Sequence, residues 1–181
     1  MAAGATVYVF DVNLSDVDRG VYETLSLRVA QHPSETFDFM LTRVLAYCLE
    51  YEEGIDFGAG GIASTEEPAV IVRDLTGAVR AWIEVGAPAA ERLHYGSRLA
   101  DRTAVYTHRD PEKVRALWAG KQIHQASAIM LRSFSDGLID QLVPLVARRN
   151  AMTVSVMEGH VYIELNGVTC SADVIEASVQ D

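Results

Sequence analysis

The sequence predicts a mixed α/β domain in which helices cover a β-sheet. Alternating apolar and polar residues recur in short segments along the chain, and residues 34–52 repeat their apolar residues at helical spacing. Between residues 68 and 134, strand-like and helix-like segments alternate, which is typical of a sheet with helices on its faces. The chain has 181 residues, 49% of them apolar and 22% charged, which predicts one globular domain over residues 1–181.

The first third of the chain predicts a β-hairpin followed by a long helix. Residues 5–14 and 21–31 alternate as strands around an Asp-rich turn that Gly20 closes. Ser34 is the predicted N-cap of the helix, because Pro33 disfavours an earlier start. Glu35 falls in the predicted first turn, away from an apolar stripe formed by Phe37, Met40, Leu41, Val44, Leu45, Cys48 and Leu49.

The rest of the chain predicts a central hairpin, alternating helices and strands, and a C-terminal meander. Asp74 and Gly77 occupy the first and fourth positions of a turn between the two strands of the hairpin. The helix over 135–149 contains Pro144, which predicts a kink. The predicted elements are strands 68–73 and 79–85, helix 89–100, strand 104–108, a helix from Asp110, strand 126–134, helix 135–149, and strands 152–157, 160–165 and 168–171.

The net charge of −10 disfavours nonspecific nucleic-acid binding by the whole surface, but the charge is unevenly distributed. Residues 92–121 carry seven basic and three acidic side chains, whereas the segments on either side are acidic. We therefore expect any nucleic-acid contact at 92–121, and the alternative is a solvated helix face. No segment predicts a membrane span or a signal peptide, and two distant cysteines, Cys48 and Cys170, fit a reducing cytoplasm.

Glu84 is the residue that most strongly indicates a functional site. It lies within a strand-like run of apolar residues and shares a predicted sheet face with Arg80 and Trp82. A carboxylate in such a strand is costly unless it is solvated, paired or bound to a metal ion. Pairing with Arg80 or with Arg92 is the structural alternative to a functional role.

Four sequence runs together resemble the YaeQ family over roughly residues 4–175: 32–35 (His-Pro-Ser-Glu), 74–77 (Asp-Leu-Thr-Gly), 82–86 (Trp-Ile-Glu-Val-Gly) and 105–108 (Val-Tyr-Thr-His). The fold of that family is similar to the PD-(D/E)XK nucleases, which are metal-dependent phosphodiesterases. The resemblance implies a restriction-endonuclease-like variant of the α/β class, with β-hairpin additions at the N- and C-terminal ends. It also implies a site where carboxylates hold Mg²⁺ or Mn²⁺ to activate water.

The resemblance implies Glu35 and Glu84 as metal ligands and catalytic residues. The middle acid of the superfamily motif is missing, since Pro68 is followed by Ala69. Asp74 is a turn residue at the far end of the hairpin, roughly 20 Å from Glu84 at about 3.3 Å per residue. Glu67 is therefore the expected third ligand, with Glu66 as a weaker alternative.

The lysine of the superfamily motif is also missing, because Gly86 stands two residues after Glu84. The resemblance places a substitute cation on the following helix, where Arg92 and His94 are the catalytic candidates. Arg92, Arg98 and Arg102 are the candidates for binding phosphate, although an arginine holds its proton too firmly to act as a base.

Three functions stay open on these observations. The first is a Mg²⁺-dependent nuclease or phosphodiesterase built on Glu35, Glu67 and Glu84. The second is a catalytically degenerate member of the same fold that binds nucleic acid, a nucleotide or a protein, which the departures at Ala69 and Gly86 favour. The third is a structural or protein-interaction module in which the acids form solvated pairs. We expect a monomer without membrane contact.

Overall fold

Ten strands form one mixed sheet in a computed structural model that describes residues 4–59 and 66–181. The strands are β1 (Thr6–Asp16), β2 (Val21–Gln31), β3 (Ile55–Phe57), β4 (Val70–Arg73), β5 (Val79–Val85), β6 (Arg102–Tyr106), β7 (Met130–Phe134), β8 (Arg149–Met157), β9 (His160–Leu165) and β10 (Val168–Ser178). Their order in the sheet is β2-β1-β8-β9-β10-β7-β6-β5-β4-β3. The mixed α/β class predicted from the sequence is therefore confirmed.

Within the described ranges, four α-helices pack against the sheet: α1 (Phe37–Leu49), α2 (Ala90–Leu99), α3 (Pro111–Trp118) and α4 (Leu138–Leu142). Strands β5, β6 and β7 run parallel, and α2 and α3 are the crossovers between them. Both helices contribute to an apolar cluster on one face, through Leu93, Val114 and Trp118. The other face holds α1, whose Ala46 packs with Ile83 of β5.

Helix α1 is the centre of the main core. It contacts both edge strands of the sheet, β2 and β3, as well as β5 and α4. Most of its apolar stripe, which the sequence predicted, is buried among side chains of β1, β2, β8, β9 and β10, whereas Phe37 at its start is exposed and Leu49 is partly buried. The sheet therefore curves around α1, while α2 and α3 form a separate outer layer over β5–β7.

Strand β10 joins the two halves of the sheet. Its first part, Val168–Asp173, pairs with β9, and its second part, Val174–Ser178, pairs with β7. The sequence predicted only 168–171 as a strand. The second part was missed because Val174 and Ile175 are adjacent, so apolar and polar residues do not alternate there.

Two helix predictions were wrong in their boundaries. Helix α1 begins after Thr36, whose hydroxyl group accepts a hydrogen bond from the Phe39 N–H at 3.1 Å, and Ser34 instead bonds to His32. The predicted helix 135–149 is much shorter, because α4 ends at Leu142 and the turn that contains Pro144 leads into β8. The predicted strand 126–134 begins with a 3-10 turn, Ala126–Ala128.

Within residues 4–59 and 66–181, no helix is long and apolar enough to cross a membrane.

Candidate functional site

Glu84 lies near the carboxyl end of β5, beside the first turn of α2. Its side chain is 6% exposed and accepts hydrogen bonds from Trp82 Nε1 at 3.0 Å and from Arg92 Nη2 at 2.9 Å. Arg92 Nε also lies 3.2 Å and 3.3 Å from the two carboxylate oxygens. Glu84 is therefore ion-paired with Arg92, one of the two partners expected from the sequence, while Arg80 pairs with Asp101 at 2.9 Å.

The alternation of β5 explains why Glu84 faces α2. Ala81, Ile83 and Val85 point towards α1, so Trp82 and Glu84 must point to the opposite face. Gly96 of α2 allows the Trp82 indole to lie flush against the helix, because a Cβ atom added at Gly96 would be 2.4 Å from Trp82 Cδ1. The indole N–H group is thereby positioned to donate to Glu84.

Burial raises the pKa of Glu84 above its usual value of 4.5, and the hydrogen bonds and charge of Arg92, together with the Trp82 bond, oppose this shift. A raised folded-state pKa means that the folded chain binds the proton more tightly than the unfolded chain. The contribution of this carboxyl group to stability is therefore largest below about pH 4.5 and is lost as the pH rises through the folded-state pKa.

Replacement of Glu84 by glutamine is expected to lower the free energy of unfolding by about 1–2 kcal/mol at pH 4.5 and by less at pH 7. Glutamine keeps an acceptor for Trp82 but does not titrate, so the variant lacks the gain that the wild type makes on acidification. Urea denaturation between pH 4.5 and pH 8 measures this difference. Glu164→Gln, at an exposed strand position, is the matched control. Equal pH profiles for wild type and Glu84→Gln would contradict the argument.

Glu67 lies near Glu84 but is held by other groups. Its carboxylate accepts from Arg73 Nη2 at 2.8 Å and from the Ala59 N–H at 2.6 Å, and these contacts lower its pKa. Its carbonyl oxygen accepts from Arg92 Nη2 at 2.9 Å. Val70 pairs with Ile83, so the chain just before Val70 lies opposite Glu84, as the sequence predicted.

Glu35 lies on the other side of the sheet. It precedes α1, and its side chain is 0% exposed against Arg43 of that helix, with Nη2 2.8 Å from Oε2. The His32 N–H also donates to Glu35 Oε1 at 3.2 Å. Burial raises the pKa of Glu35, and the charge of Arg43 opposes the shift. The sheet thus separates the Glu35–Arg43 pair from the Glu84–Arg92 pair.

The three expected metal ligands do not converge on one centre. Glu35 and Glu84 face opposite sides of the sheet, and each is bonded to an arginine. Among residues 4–59 and 66–181, no three His, Cys, Asp or Glu side chains are grouped so that they could hold a metal ion. These residues as placed do not fit the hard-oxygen shell that Mg²⁺ requires, and binding of Mg²⁺ or Mn²⁺ stays a prediction.

The expected phosphate-binding arginines lie at different places. Arg98 is exposed on α2. Arg102, at the start of β6, instead pairs with Glu50 and with Glu52, beyond the end of α1. His94 accepts a hydrogen bond on Nδ1 from the His124 N–H at 3.0 Å, which ties α2 to the segment that follows α3.

A buried network around Glu50 was missed by sequence reasoning. The Glu50 carboxylate accepts from Tyr106 Oη at 2.8 Å and from Arg132 Nη1 at 2.6 Å, and it also contacts Arg102. Burial and the charge of Glu50 raise the pKa of Tyr106 well above 10.0, so the phenol stays protonated and donates. The network ties the end of α1 to β6 and β7.

Four cations of the 92–121 segment form no ion pair within the described part of the chain: Arg98, Arg109, Lys113 and Lys121. All four are exposed. They lie on α2, on α3 and in the segments that flank α3, so they belong to the same outer layer of the sheet. We call this layer, which consists of α2, α3 and the segments 107–110 and 119–121 that flank α3, the α2–α3 face.

A family model described as "YaeQ protein" matches residues 1–174. The chain belongs to the YaeQ family. Two curated relatives carry the name "Uncharacterized protein YaeQ". The protein from Salmonella typhi is 28% identical and the one from Escherichia coli K12 is 30% identical, each over 168 residues, which is 90% of this chain and 90% of the relative.

Solved YaeQ structures have the same fold. The protein from Xanthomonas axonopodis pv. citri aligns with a TM-score of 0.86 and 26% identity, covering 96% of this chain and 98% of that chain. The protein from Pseudomonas syringae aligns with a TM-score of 0.87 and 30% identity, covering 97% of each chain. The family prediction and the mixed α/β class are confirmed, and the similarity to PD-(D/E)XK nucleases stays a prediction.

In this YaeQ chain, the backbone explains the absence of a lysine at position 86. Gly86 has φ = 89°, in the left-handed region that favours glycine, and a Cβ atom there would lie 3.3 Å from the Phe39 ring. A lysine at this position would be strained. Any cation that serves the Glu84 region must therefore come from elsewhere, and Arg92 supplies one.

Proposed function

We propose that this YaeQ-family protein binds nucleic acid through the α2–α3 face, without metal-dependent hydrolysis. The observation that carries the proposal is that one layer of an otherwise acidic protein holds four exposed cations that form no ion pair with the residues that the structure describes: Arg98, Arg109, Lys113 and Lys121. Phosphate contacts by lysine and arginine supply most of the sequence-independent affinity for nucleic acid.

The four cations are spread along the length of this face. Helix α2 follows β5 and leads into β6, so Arg98 lies near the amino end of β6. Lys121 follows the carboxyl end of α3, which leads towards β7. Arg109 and Lys113 lie at the opposite edge, after β6. Such a spacing suits the repeated charges of a polynucleotide better than one compact anion.

An exposed aromatic ring accompanies the charges. Tyr95 is 55% exposed and its ring meets the Trp82 ring edge-on at 5.4 Å between centroids. Tyr95 and Arg98 are three residues apart on α2, so they lie on neighbouring turns of one helix face. Aromatic rings beside cations are typical of single-stranded nucleic-acid sites, where bases stack without sequence preference.

The arginine pairs favour binding over hydrolysis. A two-carboxylate metal centre needs open oxygens that face one point. Glu84 is hydrogen-bonded to both Trp82 and Arg92, and Glu35 to Arg43. In the proposed function, Glu84 is a positioning residue that orients the Arg92 side chain in the first turn of α2.

Reversing two charges on this face is expected to weaken oligonucleotide binding at least about tenfold at low salt. The variant is Arg98→Glu/Lys121→Glu, and the slope of log K against log[salt] should fall by about 1.5, the share of two phosphate contacts. Fluorescence anisotropy with labelled single-stranded DNA in EDTA measures both quantities. The matched control, Arg28→Glu/Arg149→Glu, makes the same charge change at two exposed arginines on β2 and β8, and it should bind almost as the wild type does.

Equal weakening by the two double variants would show that only net charge matters and would overturn the assignment to the α2–α3 face. Cleavage of the oligonucleotide in Mg²⁺ or Mn²⁺ that stops in Glu84→Gln would overturn the exclusion of hydrolysis. Binding that resists high salt would argue against a phosphate ligand.

A further inference from the structure

A cleft of about 140 Å³ opens at the carboxyl ends of the parallel strands β6 and β7. Its walls include Thr107 and His108 after β6, Ser133 of β7, and Asp140 of α4. Ligands in open α/β sheets bind in crevices outside the carboxyl ends of the strands. The position of the cleft is thus the one at which a binding site is expected in this class of fold.

Two side chains of this cleft, Ser133 and His108, carry polar atoms without a hydrogen-bond partner in the described part of the chain. Ser133 is only 5% exposed, yet its hydroxyl group forms no hydrogen bond within the described part of the chain. His108 Nδ1 is buried and also has no partner there. The Thr107 hydroxyl accepts from the Arg109 N–H at 3.1 Å, which leaves its own proton free to donate. Buried polar groups are nearly always hydrogen-bonded in folded proteins, so the buried, unpartnered His108 Nδ1 points to a ligand. The hydroxyl groups of Ser133 and Thr107 are further donors in the same cleft.

The charges around the cleft disfavour an anion. Arg109 is the arginine in the lining, and Asp140 is the carboxylate there. Asp38 and Asp140 both act electrostatically on His108, and burial lowers the pKa of His108 below its usual 6.5. The imidazole is therefore neutral at pH 7 and above. A ligand that carries a full negative charge would meet two carboxylates against one arginine.

The remaining walls carry no polar side chain. They are formed by Pro111, Phe134, Gly137, Leu138, Ile139 and Ile175. A few convergent polar groups set among apolar walls are typical of sites for small, neutral, partly polar molecules. A heterocyclic ring that carries both donors and acceptors matches this chemistry.

We propose that this cleft binds a single nucleobase. The cleft adjoins the α2–α3 face through Arg109 and Pro111, so a strand bound on that face could place one unstacked base into it. The choice of a nucleobase among neutral heterocycles rests on the proposed nucleic-acid binding. The hydroxyl groups of Ser133 and Thr107 and the Nδ1 atom of His108 read the polar edge of the base, and the apolar walls contact its faces.

The test uses adenosine, guanosine, cytidine and uridine separately, with saturation-transfer NMR and calorimetry on the full chain. At least one nucleoside should bind saturably, with Kd in the millimolar range or tighter. Ser133→Ala and His108→Phe should each weaken that binding about tenfold, the factor that one hydrogen bond of about 1.4 kcal/mol contributes. Ser133→Val, which fills the cleft, should abolish it. Ser155→Ala, at a half-buried strand serine on β8, is the control and should change nothing.

Absence of saturable binding by all four nucleosides up to about 10 mM would overturn the proposal, and so would binding that Ser133→Val leaves intact. Oligonucleotides with abasic sites separate this inference from the proposed function. If abasic and ordinary strands bind equally and no nucleoside binds, nucleic-acid binding by the α2–α3 face is supported and nucleobase binding in the cleft is overturned. If a nucleoside binds in the cleft while no oligonucleotide binds, the proposed nucleic-acid binding is overturned and nucleobase binding in the cleft is supported.

Discussion

Replacing Arg43 by methionine is expected to lower the free energy of unfolding at pH 7 by about 3–5 kcal/mol. Arg43 and Glu35 have side chains that are 3% and 0% exposed, so the substitution leaves a buried carboxylate without its partner. Methionine replaces the aliphatic part of the side chain but not the hydrogen bond from Nη2 to the Ala30 carbonyl oxygen. Urea or thermal unfolding of the two proteins measures the loss.

The loss should shrink on acidification. Burial already raises the pKa of Glu35 above 4.5 while Arg43 opposes the shift, so removing Arg43 raises the pKa further. A group with a raised folded-state pKa stabilises the fold most below its unfolded value and loses that contribution as the pH rises. The variant should therefore approach wild-type stability as the pH falls towards about 4.5.

The control for this pair is the double variant Glu35→Leu/Arg43→Met. Replacing a buried ion pair by apolar residues of similar volume is often neutral or stabilising, so the double variant should recover most of the stability that Arg43→Met loses. If Arg43→Met unfolds as the wild type does at every pH between 5 and 8, the pair contributes nothing to the fold and the argument fails.

Gly96→Ala is the second change with a large expected effect, a loss of about 2–3 kcal/mol. The new Cβ atom would lie 2.4–2.6 Å from three atoms of the Trp82 indole, which is 1% exposed and cannot move into solvent. Alanine would otherwise favour the helix by about 1 kcal/mol, so a net loss shows that the steric conflict outweighs propensity. Displacing the indole also weakens its bond to Glu84.

The matched background for this change is Trp82→Leu, which removes the ring that conflicts with position 96. Adding Gly96→Ala to Trp82→Leu should be neutral or stabilising, so the two changes should be strongly non-additive. Trp118 remains as a fluorescence probe in every variant. Additive effects in this double-mutant cycle would show that Gly96 does not act through Trp82.

The sequence predicted those elements whose signal is local. The hairpin of β1 and β2, the apolar stripe of α1 and the turn at Asp74 follow from alternation, helical spacing and turn residues, and all are present. The pairing of Glu84 with Arg92 was one of two expected pairings, the other being with Arg80, and the structure shows the Arg92 pair. Such contacts span few residues, so the chain between the partners limits where they can lie.

Elements that depend on distant neighbours were predicted less well. Thr36 rather than Ser34 caps α1, because the Glu35 carboxylate turns back to the His32 N–H and Arg43, and this contact delays the start of the helix. The second part of β10 is a strand because β7 offers a free edge, although its own sequence alternates weakly. Helix α4 is short because the chain enters β8, which pairs with β1 from the other end of the protein.

The sequence by itself determined the family, the mixed α/β class and the basic 92–121 segment. Only the tertiary structure decided that Glu35 and Glu84 face opposite sides of the sheet, that Glu50 is buried among Arg102, Tyr106 and Arg132, and that Ser133 and His108 share a cleft. The physical reason is that periodicity assigns a side chain to a face of its own element. Which partner covers that face depends on how the sheet curves around α1, and this is set by packing among residues far apart in sequence.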